Sequence, residues 1–255
     1  MGRPGAKGHR DPMNPANRLA QASFTAGPAA LLGGWLLMRP IDGDLVPGPW
    51  WTAAHVVWLA GFAMFGVMTL ALRGVAGPVT GGRRAAVDVA VAAALLGVAA
   101  NVVQLAIDLY AGFNAADEAA MRAVFEQVKG YPGVEVLVYS AGAQLFFAAL
   151  VALAVILAAL RRVTPVGAGV TVVGVAVMAV ATFQTGRDSA LVAVGMALIW
   201  LGVLLLGRGP STGLSTGPST GPSTGLGAPP AAGPGLGTGS ARIAGPRASW
   251  AAPRP

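Results

Sequence analysis

The stretch AVDVAVAAALLGVAANVVQLAIDLYAG, residues 86–112, decides how the rest of the chain is read. It runs for 27 residues without a proline, beyond the ~20 apolar residues an α-helix needs to cross a bilayer. Its amides and its last acid fall in one line. Asn101, Gln104 and Asp108 are spaced i, i+3, i+7, so on a helix they share a face, and Gly97 extends that face by one turn. Polar groups on a spanning helix turn away from lipid, so other hydrophobic segments must surround this one.

Working outward, the sequence supplies those segments. Apolar runs at about residues 22–38, 52–72, 134–160, 166–183 and 189–206 join residues 86–112 to predict an all-α fold. This is a polytopic transmembrane bundle of six spanning helices. The first run has the look of a signal-peptide core, but further spans follow it, and it reads as an uncleaved helix with Gly27-Pro28 near its start. Trp50-Trp51, after a proline-rich linker holding Asp42 and Asp44, reads as an interfacial anchor. Residues 115–129 are different: Met121, Val124, Phe125 and Val128 recur at helical spacing, opposite Asp117, Glu118, Arg122, Glu126 and Lys129. They predict an amphipathic helix capped by Asn114, too polar to span and lying outside, on the membrane surface or over the mouth of the bundle. Residues 1–18 read as a disordered basic arm, and residues 209–255, with their STG repeats, as a disordered tail.

Composition agrees with this reading. Of 255 residues, 55% are hydrophobic and only 11% charged, with a mean hydropathy of +0.65, against roughly 25% charged residues in a soluble domain. The net charge of +7 does not point to nucleic acid, because the basic residues sit between apolar runs rather than in a patch interleaved with aromatics. There is no cysteine, which excludes disulfides, thiolate metal sites and cysteine nucleophiles. Arginine outnumbers lysine, and alanine and glycine abound, as in proteins of GC-rich bacteria.

Lysine and arginine in the short loops set the orientation. Placing the N-terminus in the cytoplasm collects Arg3, Lys7, Arg10, Arg18, Arg73, Arg83, Arg84, Arg161, Arg162 and Arg208 on the inside. Outside, Arg39, Arg122, Lys129 and Arg187 are offset by Asp42, Asp44, Asp117, Glu118, Glu126 and Asp188. Both termini are then cytoplasmic.

With that topology His55, Asp108, Glu135, Tyr139 and Arg187 fall near the outer helix ends, and Gln104 and Asn101 lie deeper on the third span. These seven residues form a candidate polar pocket open to the outside. One reading makes them interhelical glue, with Asp108 tied structurally near the interface. The other makes Asp108 the main ionisable group of a ligand, ion or proton site. His55 has no second axial histidine among the spans for haem, and beside a Trp pair it reads more simply as an amphipathic anchor. His55, Asp108 and Glu135 carry no zinc-ligand spacing. No metal, no cofactor and no catalytic residue is assigned. Ala93, Gly97 and Ala100 in the third span, with Gly167, Thr171 and Gly174 in the fifth, are small enough to bring helices close together.

Gly34-Trp35-Leu36-Leu37 in the first span, Trp51 with Ala54-His55 opening the second, and Ala106-Ile107-Asp108 in the third carry a resemblance. Over about residues 19–206 the chain resembles a group of small actinobacterial integral membrane proteins of unknown function. The resemblance implies a six-helix membrane domain and a bacterial plasma membrane, and it brings no activity.

Three functions follow as expectations. The first is a non-enzymatic scaffold, sensor or subunit, in company with the lipid bilayer and either a second copy or another membrane protein. The second is a small transporter or ion- or proton-coupled carrier using the Asn101-Gln104-Asp108 stripe, although no repeat relates the two halves. The third is a membrane enzyme acting on a lipid or envelope substrate at the outer face, with His55 as base and Asp108 orienting it. A reporter that matures only outside the cytoplasm, fused after Arg208, is expected to stay dark in whole cells, and a bright fusion reverses the orientation.

Overall fold

The computed structural model describes residues 15–41, 45–185 and 190–208, and every regular element among them is helical. The arm up to residue 14, the tail from residue 209, and Asp42, Asp44, Arg187 and Asp188 lie outside the described residues. Helix α1 (Pro15–Leu37) starts within the arm expected to reach residue 18, because a proline is well placed in the first turn, where its missing N–H is not needed. A second proline, Pro28, lies inside α1, next to Gly27. Gly27 packs so closely on the Phe65 ring that a Cβ there would come within 3.0 Å.

Six further helices follow: α2 (Pro49–Ala76), α3 (Gly81–Asn114), α4 (Glu118–Lys129), α5 (Ala141–Ala159), α6 (Pro165–Thr185) and α7 (Ala190–Gly207). A 3₁₀ turn, Arg39–Ile41, follows α1. The residues preceding α5, Glu135–Ser140, form a π-helical segment. Its wider winding shows in the bond from the Ala141 N–H to the Val136 carbonyl, five residues back. The fourth expected span is therefore a π turn leading into an α-helix rather than one regular helix.

Four helices are long and apolar enough to cross a membrane: α2, α3, residues Pro165–Gln184 of α6, and α7. They suggest a membrane-embedded protein. Helix α1 falls outside this set, its apolar residues being interrupted by Gln21, Ser23, Thr25, Pro28 and three glycines. Helix α5 is apolar over its 19 residues and follows directly on the π segment.

The helices nonetheless close into a ring. Contacts run α1–α2, α2–α3, α3–α5, α5–α6 and α6–α7, and α7 packs back on α1. Within the ring, α2 and α5 meet through Phe62, Phe65 and Phe146, whose ring centroids lie 4.8–5.7 Å apart. Phe65 and Phe146 are fully buried, as are Met68, Leu72, Leu150, Leu153 and Leu157 along the same core. Burial of each such side chain is worth about 1.5–3 kcal/mol relative to water, but lipid is itself apolar, so in a membrane close packing matters more than burial.

Helix α4 differs from its expected form at the start. Asp117, not Asn114, caps it, accepting a hydrogen bond from the Ala120 N–H at 2.8 Å. Asn114 instead ends α3, its side-chain amide donating to the Tyr110 carbonyl. The apolar face of α4 is covered, with Met121 and Phe125 buried against Met38, Trp51, Ala54 and Ala111.

Small residues set the spacing of α3 and α5. A Cβ on Gly97 would stand 2.4 Å from the Phe146 backbone nitrogen, so only hydrogen fits there. Across the same interface a Cβ on Gly142 would stand 2.4 Å from that of Ala100. Gly97→Ala is expected to lower stability by about 1–3 kcal/mol, the usual cost of overpacking. Gly169→Ala, with nothing within 4 Å of the added Cβ, should leave the unfolding midpoint in detergent unchanged or slightly raised. Equal midpoints for the two variants would show that α3 and α5 separate freely.

Candidate functional site

The three-residue line on α3 faces the interior of the ring. Asn101 and Asp108 are buried, Gln104 is partly buried, and Val103 and Tyr110 on the other side are exposed. Asn101 donates its amide N–H to the Gly97 carbonyl at 2.7 Å. The Gln104 Oε1 atom is buried and has no hydrogen-bond partner.

These side chains open onto a cavity of about 820 Å³, within the range of small-molecule sites. It lies at the end of the ring where α1 and α3 finish and α2 and α5 begin. His55, Asn101, Gln104, Asp108, Glu135 and Tyr139 all line it. The seventh candidate, Arg187, lies outside the described residues. Phe62 and Phe147 also line the cavity, and Phe62 leads to the buried Phe65 and Phe146 rings, which fill the centre of the bundle beyond it.

Sequence reading placed Trp51 and His55 at the headgroup level, and the structure corrects both. His55 is 3% exposed and Trp51 5% exposed, whereas Trp50 remains 47% exposed. Four residues apart on α2, the imidazole stacks on the Trp51 indole with centroids 4.1 Å apart. The Trp58 ring meets the other side edge-on at 5.2 Å. Both indoles are fixed by hydrogen bonds between helices. Trp51 Nε1 donates to the Asp108 carbonyl on α3, and Trp58 Nε1 donates to the Leu31 carbonyl on α1, each at 2.9 Å. Gly112 makes room for the first, since a Cβ there would come within 2.6 Å of the Trp51 ring.

His55 Nε2 lies 3.6 Å from Asp108 Oδ2. Its Nδ1 is 2.7 Å from the Trp51 carbonyl oxygen. A carbonyl can only accept, so Nδ1 carries hydrogen. In neutral imidazole Nε2 would then be a bare lone pair facing a carboxylate. Two acceptors repel, so the contact is favourable when one proton resides on the pair, on either the imidazole or the carboxyl. His55 and Asp108 thus form a buried pair that a single proton would stabilise, with Nδ1 held by the Trp51 carbonyl and Nε2 facing the carboxylate beyond hydrogen-bond distance. The Tyr139 hydroxyl faces the Asp108 carboxylate and interacts with it electrostatically.

The individual rim residues were not among the sequence candidates, although a place over the mouth of the bundle was one expectation for α4. Arg122, Phe125, Glu126 and Lys129 on α4 line the cavity, as does Arg39 after α1. Their spacing on α4, with Arg122, Glu126 and Lys129 on one stripe, was the available signal. The Lys129 ammonium lies 5.7 Å from the Tyr139 ring centroid, and the Arg39 guanidinium 4.2 Å from that of Trp35. Arg122 pairs with Glu118 one turn back.

Fold and site together define an all-helical membrane-embedded bundle with an aromatic-walled cavity at one end and a buried histidine–carboxylate pair inside it. No family model, no curated protein and no solved structure matches the chain.

If the pair is energetically linked, His55→Leu and Asp108→Leu will not add. A double-mutant cycle on detergent-unfolding free energies is expected to give a coupling of about 0.6 kcal/mol, the mean for polar contacts between spans. Strict additivity would mean that the two groups are neighbours without interaction.

Proposed function

We propose that this protein is a non-enzymatic ligand-binding membrane protein, a sensor or a subunit, whose ligand occupies the cavity beside His55 and Asp108. The observation that carries this reading is the cavity of about 820 Å³ with buried polar groups inside it. A core that served only to hold helices together would be filled, because interiors pack like crystals and voids of this size are rare. The catalytic reading with Asp108 as orienter needs one His55 nitrogen on the carboxylate and the other facing substrate. Here the second nitrogen is committed to the Trp51 carbonyl, which argues against the catalytic reading.

The same proposal takes all six ring helices as spans, with α4 over the cavity mouth and both termini cytoplasmic. At 1.5 Å rise per residue a helix of 23 residues, the length of α1, reaches about 35 Å, enough for a hydrocarbon core of about 30 Å. Charge supports the orientation. Arg18, Arg73, Arg83, Arg84, Arg161, Arg162 and Arg208 gather at one end with Asp88. The cavity end carries Arg39, Arg122 and Lys129 against Asp117, Glu118, Glu126 and Glu135. By the positive-inside rule the cavity then faces outward. The Arg-, Ala- and Gly-rich composition fits the plasma membrane of a bacterium, and the bilayer and a second copy or membrane partner complete its surroundings. A second reading, a proton-coupled carrier, is favoured by the polar stripe that continues down α3 from Asp108 to Asn101. It requires the Phe62, Phe65 and Phe146 rings to part.

The absence of cysteine makes the test direct. Gln104→Cys should react in intact cells with a charged, membrane-impermeant methanethiosulfonate, while Val103→Cys, one residue away on the exposed face of α3, should not. Protection of both positions would overturn the open cavity, and reaction of Gln104→Cys only after the cells are opened would overturn its outward orientation.

A further inference from the structure

The chemistry inside the cavity selects a class of ligand. Asp108 brings a carboxylate, and the buried Gln104 Oε1 is a hydrogen-bond acceptor without a partner. His55 adds an acceptor whenever the pair has lost its proton, because Nδ1 is held by the Trp51 carbonyl and Nε2 is left bare. A cavity floor rich in acceptors and carrying one carboxylate complements a positive charge and repels a negative one. The walls agree. Trp35, Trp51, Trp58, Phe125 and Tyr139 line the same space, and the faces of such rings attract cations. Two of them already do so, Trp35 beneath Arg39 and Tyr139 beneath Lys129.

We propose that the cavity binds a lipophilic organic cation in exchange for the single proton held between His55 and Asp108. This rests on the reading of the cavity as a ligand site and names the ligand's class. The exchange balances: one positive charge enters the pocket and one proton leaves to water, so the buried pair never carries an uncompensated charge. The groups facing Asp108 are His55 from α2 and Tyr139 from the π segment, with Arg39, Arg122, Glu126, Lys129 and Glu135 around the mouth. The charges on α4 and Glu135 are at or near the surface and are screened by salt, and the half-buried Arg39 guanidinium lies over the Trp35 ring. Those of the pair are buried, where a charge contact is stronger. The interior therefore sets the sign of the ligand.

Two ions of matched shape and opposite charge test this. Tetraphenylphosphonium and tetraphenylborate are titrated into the purified full-length protein in detergent, with empty micelles subtracted. The phosphonium is expected to bind roughly tenfold or more tighter than the borate. Its binding should release up to one proton per cation into weakly buffered solution and should weaken as the pH falls through the range where the pair takes up its proton. Asp108→Asn should lose both the preference and the proton release while keeping its unfolding midpoint. Gln104→Leu, which leaves the pair intact, should weaken phosphonium binding several-fold and still release the proton. Borate binding as tight as phosphonium, phosphonium binding without proton release, or an Asp108→Asn protein that folds and binds unchanged would each overturn the exchange. No binding of either ion would overturn it too. The accessibility of Gln104→Cys decides the cavity itself independently, so a failed ligand class and a closed cavity give different results.

Discussion

A carboxylate in a bundle walled by lipid has few places to go. Asp108 is held beside the imidazole of His55, and much of the surrounding structure positions that contact. The Trp51 indole, stacked on His55, reaches across to the Asp108 backbone carbonyl and so pins α2 to α3 through the same residue that supplies the acid. Gly112 lies one turn further on and leaves the space the indole needs. Without water in the hydrocarbon region, every one of these polar atoms must find its partner inside the protein. A single proton on the pair, as proposed, would meet that demand without leaving a net charge.

The opposite wall is irregular where the site needs it to be. A regular α-helix continued back from α5 would present its side chains at 100° steps. The π winding of Glu135–Ser140 departs from that register, and Glu135 and Tyr139, four residues apart on it, both line the cavity. Such widened turns lose packing efficiency and occur often at functional sites. The closest packing of the same wall lies deeper, where Gly97 meets the Phe146 backbone. The bundle is thus tight at its middle and open toward one end.

Much of this geometry was legible because spacing on a helix is strict. Asn101, Gln104 and Asp108 could share only one face, and polar groups cannot face lipid, so their inward direction followed from the residues alone. The small residues of α3 and α6 announced close approach for the same reason. Tryptophan and histidine were misread because both types are at home either in the headgroup layer or in a polar core. What separates Trp51 from Trp50 is one step of 100° around α2, which sends one inward and leaves the other outside. The π segment leaves no mark in the residue types, since its register depends on neighbours that are distant in sequence. For α4 the sequence left two places open, the membrane surface and the mouth of the bundle, because its charged stripe is ordinary for a surface helix until another element is packed beneath it.

The closed ring has a topological consequence. Because α7 returns to α1, with Gly207 against Phe24, the first and last helices of the bundle begin and end side by side. The order of the helices around the ring then has no privileged starting point. A chain in which residue 208 is joined to residue 15 by a short linker, and which is opened instead between α5 and α6, would trace the same ring. Its new ends would emerge at the arginine-rich end of the bundle, where the old ones did, and each helix would keep its direction across the bilayer. Circular permutation would therefore preserve both the architecture and the side to which the cavity opens.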